Sequence, residues 1–250
     1  MARSSRRAVL TGLGIISPIG SDLPSAWQSL AAGRGGIQPI RNFDPSGLPV
    51  QFAGEIPDFD AKNYIDKKER KGLRVMARTI QLAVAAAQLA MDDSAVNKEQ
   101  LDPTRFGVDF GAGLIATELE ELAVAAQLTA NGQPGSIDMD KWGEQGLPTI
   151  PPLWMLKYLP NMLACHVSIL HNAQGPNNTI TGTDIASLQA LGEAYRILAR
   201  DQADFFLVGG AESKLNPLSL VRQCLFEHLS HHNEEPAKAC RPFDRQRDGL

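Results

Sequence analysis

Cysteines and histidines are the side chains of this sequence best suited to covalent or metal chemistry. Cys165, Cys224 and Cys240 are widely spaced and form no C-x-x-C pair, which is typical of reduced thiols and predicts neither a zinc site nor a disulfide framework. Three of the five histidines fall in residues 228–232, beside glutamates that make a metal site conceivable. No regular element is predicted there to hold ligand geometry, so we interpret this run as a solvated loop. His166 is expected to be packed rather than catalytic, and no metal or cofactor is predicted.

Two glycine patterns partly match the dinucleotide-binding fingerprint. Gly12-x-Gly14 lacks the third glycine and runs into Pro18 instead of a helix. Gly111-x-Gly113 follows a predicted strand, but no acidic residue ends a next strand at the distance that ribose binding needs. We interpret both patterns as tight turns.

A basic run occupies residues 67–78 of an otherwise acidic chain. It contains six basic residues and one acidic residue: Lys67, Lys68, Glu69, Arg70, Lys71, Arg74 and Arg78. Such a run attracts an acidic partner protein by electrostatic steering, and it is also typical of a solvated helix end. Both interpretations remain open at this point.

Composition limits the classes of function that the chain can serve. It has 250 residues, 28 acidic and 24 basic side chains, a net charge of -4 and an apolar share of 43%. These values predict a folded core and disfavour binding of nucleic acid over the whole surface. No apolar stretch is long enough for a membrane span, and glycines and Pro18 interrupt the apolar run after Arg7. We therefore expect a cytoplasmic protein.

Strand-like runs alternate with helical patterns along the chain, which predicts an α/β fold with a mainly parallel sheet between helix layers. The predicted strands are Ala8–Thr11, Arg105–Phe110, Asn178–Thr181 and Phe205–Val208. The predicted helices are a short one capped by Ser21 and Asp22, then Lys68–Asp93, Thr117–Thr129, Asn161–Leu170 and Ile185–Arg200. Segments 35–64 and 131–152 are predicted to be long loops.

Several blocks in fixed order resemble the β-ketoacyl synthase family and cover nearly the whole chain. They are residues 11–20, 26–27, 33–37, 159–164, 166–169, 175–177, 192–194, 203–204, 209–212, 241–244 and 247–249. The resemblance implies a thiolase-like fold made of two similar halves, each with a five-stranded sheet between helices. Residues 1–250 would form the N-terminal domain with four of its five strands, and the C-terminal half, with the catalytic histidines, would begin after residue 250.

The resemblance also implies decarboxylative condensation on an acyl carrier protein. A cysteine at a helix N-terminus takes an acyl group from the carrier, and a malonyl unit then loses carbon dioxide and attacks the thioester. The family's carrier-docking surface includes a basic run at this place, so Lys67, Lys68, Arg70, Lys71 and Arg74 become candidate docking residues. An acyl carrier protein is then the expected partner, together with a homodimer or a heterodimer with a ketosynthase.

The sequence departs from the family at the nucleophile. Counting back eight residues from Gly192, the family's spacing, gives Asp184 instead of a cysteine. We expect Asp184 to cap the following helix, because a carboxylate can accept hydrogen bonds from the free amides there. An aspartyl acyl intermediate would be a mixed anhydride, which hydrolyses more readily than a thioester.

Two functions therefore remain. The first is a non-condensing partner, similar to a chain-length factor, in fatty acid or polyketide biosynthesis. The alternative is an active acyltransferase or malonyl-carrier decarboxylase in the full-length form.

Overall fold

The computed structural model of the chain describes residues 6–133 and 135–250. Contacts between residues divide the chain into two compact units. The first contains residues up to Gly36 together with Gly54–Ile115 and Leu159–Ser213. The second contains Ile37–Ala53, Ala116–Tyr158 and Lys214–Leu250.

Seven α-helices and five strands make up the regular structure of the described residues. The helices are α1 (Leu23–Ala31), α2 (Arg78–Ser94), α3 (Leu119–Thr129), α4 (Met139–Lys141), α5 (Met162–His171), α6 (Ala186–Ala199) and α7 (Pro217–Phe226). The strands are β1 (Ile37–Pro39), β2 (Phe52–Gly54), β3 (Phe106–Ala112), β4 (Asn177–Thr181) and β5 (Phe205–Gly210). Within the described residues, every helix is too short or too polar to cross a membrane.

A three-stranded parallel sheet forms the centre of the first unit. Its strand order is β4-β3-β5, with Val108 opposite Asn177 on one side and opposite Leu207 on the other. All seven residues of β3 are buried, as expected for a parallel strand covered on both faces. Helix α6 packs against one face of the sheet, while α5 and α2 pack against each other and against the opposite face. The predicted α/β layering with a parallel sheet is confirmed.

The strand predicted at Ala8–Thr11 is wrong, so the sheet has three strands among the described residues. The segment is exposed, and among the described residues it forms no backbone hydrogen bonds with a neighbouring strand. It runs beside α2, where a Cβ atom on Gly14 would lie 2.0 Å from the carbonyl oxygen of Ala86. A strand exists only where a second strand accepts and donates its backbone hydrogen bonds, and this segment has no such neighbour.

The long helix predicted over Lys68–Asp93 is also wrong in its first half. A 3₁₀ helix covers Arg70–Val75, and α2 begins only at Arg78. Between them the backbone is extended at Met76, whose side chain is buried. The Arg78 guanidinium donates a hydrogen bond of 2.6 Å to the Ile56 carbonyl and lies 5.2 Å from the centre of the Phe59 ring. These two contacts of Arg78 stabilise the interruption between the 3₁₀ helix and α2, so one continuous helix does not form.

The second unit contains short elements in both segments that were predicted to be loops. Strands β1 and β2 pair inside residues 35–64, and a small core of Val50, Phe52 and Ala239 lies next to them. Residues 131–152 contain α4, a π-helical turn and a 3₁₀ turn. Asp138 starts this helical stretch by accepting hydrogen bonds from two backbone amides.

Candidate active site

Three connections meet at the carboxyl edge of the parallel sheet. Gly113 follows β3, Asp184 follows β4 and Glu212 follows β5. The carboxyl ends of parallel strands lie at one edge, and this is the edge at which open α/β sheets bind their ligands. A Cβ atom on Gly113 would lie 2.4 Å from a carboxylate oxygen of Glu212, so the first and third of these connections are in contact. Ser213 is held to α2 by a hydrogen bond of 3.2 Å from its amide to the Thr79 hydroxyl.

Two glycines let the first turn of α6 lie directly against the strand ends. A Cβ atom on Gly111 would be 2.3 Å from the Ser187 amide nitrogen, and one on Gly210 would be 2.8 Å from the Ser187 Cβ. No larger residue fits at Gly111 without moving the helix, because the obstructing atoms belong to the backbone. These glycines therefore fix the start of α6 and, with it, the position of residue 184.

Asp184 lies in the single 3₁₀ turn between β4 and α6, and its side chain is exposed. The predicted helix cap is wrong. Helix α6 begins at Ala186 with Ile185 in the N-cap position, and this residue supplies no side-chain hydrogen bond to the first turn.

The three cysteines all lie on other elements. Cys165 is half-buried on α5, Cys224 is half-buried on α7 and Cys240 is exposed after a 3₁₀ turn. None of them follows β3, β4 or β5. The start of α6, where a thiol would gain nucleophilicity from the helix dipole, carries a carboxylate instead.

The candidate docking residues fall into two groups. Lys67, Lys68, Lys71 and Arg74 are exposed, and no ionic partner is found for them within the described residues. Arg70 is half-buried and donates hydrogen bonds of 2.7 Å to the Lys62 carbonyl and 3.3 Å to the Ile65 carbonyl. Arg70 thus holds the local backbone, whereas the other four form a free cationic surface, which we call the basic patch.

A buried carboxyl group lies beneath α6, and sequence reasoning missed it. Asp109 on β3 is 1% exposed, and its two carboxyl oxygens have no hydrogen-bond partner within the described residues. Its neighbour in register is Asn178, whose side-chain amide donates to Glu193 of α6 at 3.0 Å. Burial, with a smaller contribution from the Glu193 charge, raises the pKa of Asp109 from its ordinary value of 3.8 to about 6. The only sequence signal was one acidic residue inside an apolar strand.

A polar network in the second unit also escaped prediction. The Tyr158 hydroxyl donates to Glu121 at 2.7 Å and accepts from the Glu118 amide at 3.4 Å, while Lys157 forms an ion pair with Glu121. Burial raises the pKa of Tyr158, so the phenol stays protonated and acts as a donor. The network links the start of α3 to the segment that follows the turn at Trp154–Lys157.

The histidines are placed largely as expected. His166 is buried on α5, and burial lowers its pKa, in agreement with a packed neutral side chain. His171 is buried at the end of the same helix, and burial lowers its pKa to about 4. The 228–232 run lies in a loop, where His232 contacts Arg241 at 2.9 Å.

Comparison with known proteins gives a consistent result. Residues 5–250 match the family described as β-ketoacyl synthase, N-terminal domain. The chain is 34% identical over 247 residues to the 3-oxoacyl-[acyl-carrier-protein] synthase 2 of Vibrio cholerae, covering 99% of this chain and 55% of that protein. The protein of the same name from Synechocystis is 35% identical over 245 residues, covering 98% of this chain and 55% of the relative.

The fold comparison agrees with the sequence comparison. The solved structure named the ishigamide ketosynthase/chain length factor superposes with a TM-score of 0.77 at 25% identity, covering 99% of this chain and 56% of that one. The chain thus spans about half the length of the curated relatives it matches. Its parallel sheet, the approach of α6 to the strand ends and the match over residues 5–250 lead to one conclusion: the chain belongs to the β-ketoacyl synthase family, of which it carries the N-terminal domain.

Proposed function

We propose that the chain is part of a β-ketoacyl-acyl-carrier-protein synthase-like protein that binds an acyl carrier protein but does not itself form the acyl-enzyme. It acts as a non-condensing partner of an active ketosynthase in fatty acid or polyketide biosynthesis, in the manner of a chain-length factor. The observation that supports the proposal is Asp184 in the turn before α6, eight residues before Gly192, the separation at which the family's pattern has its cysteine.

The chemistry of a carboxylate supports this proposal. Acyl transfer from a carrier thioester to Asp184 would replace a thioester with a mixed anhydride, a less stable acyl group, so the transfer would run uphill. A thiolate in the same place would exchange one thioester for another at little cost. The α6 amides would stabilise a carboxylate as well as a thiolate, but they do not remove this difference.

The basic patch supports binding of a carrier protein. The curated relatives are named for an acyl-carrier-protein substrate, and such carriers are acidic. Four exposed cations on one short segment create a positive local field on a protein of net charge -4. This arrangement steers an acidic partner to one face and raises its association rate.

A decarboxylation assay tests the non-condensing role against its alternative. The protein is incubated with a malonyl-loaded carrier, and carbon dioxide release is measured for the unmodified chain and for Asp184→Ala. We expect both to release carbon dioxide at the background rate. Release that Asp184→Ala abolishes would contradict the proposal and favour a malonyl-carrier decarboxylase.

Charge reversal in the basic patch tests carrier docking separately. The double variant Lys71→Glu/Arg74→Glu is expected to bind an acidic acyl carrier protein about tenfold more weakly, because two favourable charge contacts become repulsive. The matched control is Arg200→Glu/Arg222→Glu, which changes the net charge equally at two exposed arginines outside the patch. Binding is measured by titration calorimetry at low and high salt. Equal affinities for the two double variants would remove the docking proposal.

We also propose that the chain pairs with a ketosynthase subunit, because a non-condensing chain needs an active partner to contribute to synthesis. Purification from co-expressing cells with a ketosynthase of the same pathway checks this pairing. A chain that elutes alone at all concentrations contradicts it.

A further inference from the structure

Residues 56–78 of the first unit form a loop that carries the basic patch, and we call this segment the patch loop. It consists of two 3₁₀ turns, Ala61–Asn63 and Arg70–Val75, joined by irregular backbone. The four cations of the basic patch lie between residues 67 and 74. Surface loops are usually mobile, and like charges placed close together repel one another. Holding four cations in one arrangement therefore requires contacts made by other residues of the loop.

Arg70 joins the two turns of the patch loop. Its guanidinium donates hydrogen bonds of 2.7 Å to the Lys62 carbonyl and 3.3 Å to the Ile65 carbonyl. These carbonyls lie eight and five residues before Arg70, so one planar donor group closes the loop over that distance. A lysine has one ammonium group on a flexible stem and cannot hold both contacts in a fixed geometry. Although Arg70 belongs to the basic run, its guanidinium is directed at the backbone.

Buried apolar side chains anchor the patch loop to the rest of the first unit. Ala61, Ile65 and Met76 are all buried, and they lie near the beginning, in the middle and near the end of the loop. The side-chain amide of Gln81 on α2 also donates a hydrogen bond of 2.9 Å to the Met76 carbonyl. Each of these anchors restricts the backbone before any partner binds.

A cap and a set of ring contacts hold the first part of the patch loop. The Asp60 carboxylate accepts a hydrogen bond of 2.9 Å from the Lys62 amide and caps the first 3₁₀ turn. The Phe59 ring stacks on the Tyr64 ring, with 5.9 Å between the ring centres. The Arg78 guanidinium lies 5.2 Å from the centre of the Phe59 ring. The beginning of the loop is thereby joined to the start of α2.

We propose that the patch loop is a preformed docking platform for an acidic acyl carrier protein, and that Arg70 is its positioning residue. Arg70 does not contact the carrier in this arrangement. It holds the backbone, so the cations of the basic patch keep one arrangement in the free protein. The carrier then binds without first ordering the loop, and the association loses less conformational entropy. The inference deepens the proposed function and rests on it, because it concerns the surface proposed there for carrier docking.

Two variants of Arg70 separate positioning from direct charge contact. Arg70→Lys keeps the charge but loses the geometry that reaches both carbonyls, whereas Arg70→Gln loses the charge as well. We expect Arg70→Lys to bind an acyl carrier protein about fivefold more weakly than the unmodified protein, as measured by titration calorimetry. The factor should be the same at low and high salt, because salt screens charge contacts and does not restore the order of a loop. Arg200→Lys, at an exposed arginine outside the loop, is the control and should bind like the unmodified protein.

The outcomes distinguish failure of this inference from failure of carrier docking. If Arg70→Lys binds like the unmodified protein and Arg70→Gln binds more weakly at low salt only, Arg70 acts as a charge contact. That result overturns the inference and leaves carrier docking in place. If Lys71→Glu/Arg74→Glu binds the carrier as tightly as the unmodified protein, carrier docking fails and the inference fails with it.

A matched pair of variants at Asp60 tests the importance of loop order with every arginine left in place. Asp60→Asn and Asp60→Ala remove the same charge, but asparagine still caps the first turn and alanine does not. We expect Asp60→Ala to bind the carrier about threefold more weakly than Asp60→Asn. Hydrogen exchange in the free variants checks the cause: the Tyr64 amide, which donates to the Ala61 carbonyl at 3.1 Å, should exchange faster in Asp60→Ala. Equal carrier affinities for the two variants would contradict the preformed platform.

Discussion

Asp109→Asn is expected to stabilise the protein at pH 7.5 by about 3 kcal/mol. Asp109 is buried without a hydrogen-bond partner within the described residues, and its pKa is raised from 3.8 to about 6. At pH 7.5 the folded protein must therefore hold a buried negative charge close to Glu193. An asparagine has nearly the same shape as the protonated carboxyl group and never ionises, so it removes this cost.

The sign of the pH dependence follows from the same shift. Between about pH 4 and pH 6 the folded state binds the Asp109 proton more tightly than the unfolded state does. The free energy of unfolding contributed by this group is therefore highest below pH 4, falls as the pH rises to about 6 and is constant above it. Asp109→Asn should abolish this fall and should equal the unmodified protein near pH 4.

Urea denaturation at pH 4, 5, 6 and 7.5 measures both effects. Asp58→Asn is the matched control, since Asp58 is exposed and loses the same charge. We expect the control to change the free energy of unfolding by about 0.5 kcal/mol or less at every pH. If the difference in the free energy of unfolding between Asp109→Asn and the unmodified protein is the same at pH 7.5 as at pH 4, folding does not raise the pKa of Asp109.

Asp184→Cys is expected to be acylated at that position, whereas the unmodified protein is expected to take up no acyl group. The thiol would lie in the turn directly before α6, where the positive end of the helix dipole favours the thiolate. The thiolate attacks the carrier thioester, a new thioester forms, and the carrier thiol leaves. The full-length protein is used, since the resemblance places the family's catalytic histidines after residue 250.

Peptide mass spectrometry after incubation with an acyl-loaded carrier measures this gain. Asp184→Ser is the matched control, because it keeps a small polar side chain but supplies no thiol. Cys165, Cys224 and Cys240 act as internal controls that should stay unmodified. A folded Asp184→Cys protein that binds the carrier but stays unacylated would show that the start of α6 does not present residue 184 to the thioester.

The sheet could be predicted from the sequence wherever the signal was local. Strands β3 and β5 are short runs rich in apolar residues, and β4 ends in the β-branched run Thr179–Thr181. Helix α1 has Asp22 as its N-cap, whose carboxylate accepts from the Ser25 amide at 2.7 Å. The correspondence of Asp184 to the family's nucleophile could be predicted from the sequence, because Asp184 lies eight residues before Gly192. Each of these features depends on residues that are close together in the chain.

The features that escaped prediction depend on distant residues. Whether Ala8–Thr11 becomes a strand depends on a neighbouring strand, and the start of α2 at Arg78 depends on Ile56 and Phe59. The burial of Asp109 results from pairing with β4 and β5 and from the cover of α6, which no local pattern reports. The sequence could not show that Arg70 differs from the residues of the basic patch, because Arg70 hydrogen-bonds the carbonyls of Lys62 and Ile65, which only the folded structure brings close to it.

The proposed non-condensing role of the chain is tested most directly by mass spectrometry of the unmodified full-length protein. The protein is incubated with an acyl-loaded carrier, quenched in acid to preserve acyl groups, and digested to locate any adduct. The account predicts no acyl group on the peptide that contains Asp184. A stoichiometric acyl adduct on that peptide would contradict it and would favour an active acyltransferase with an unusual nucleophile.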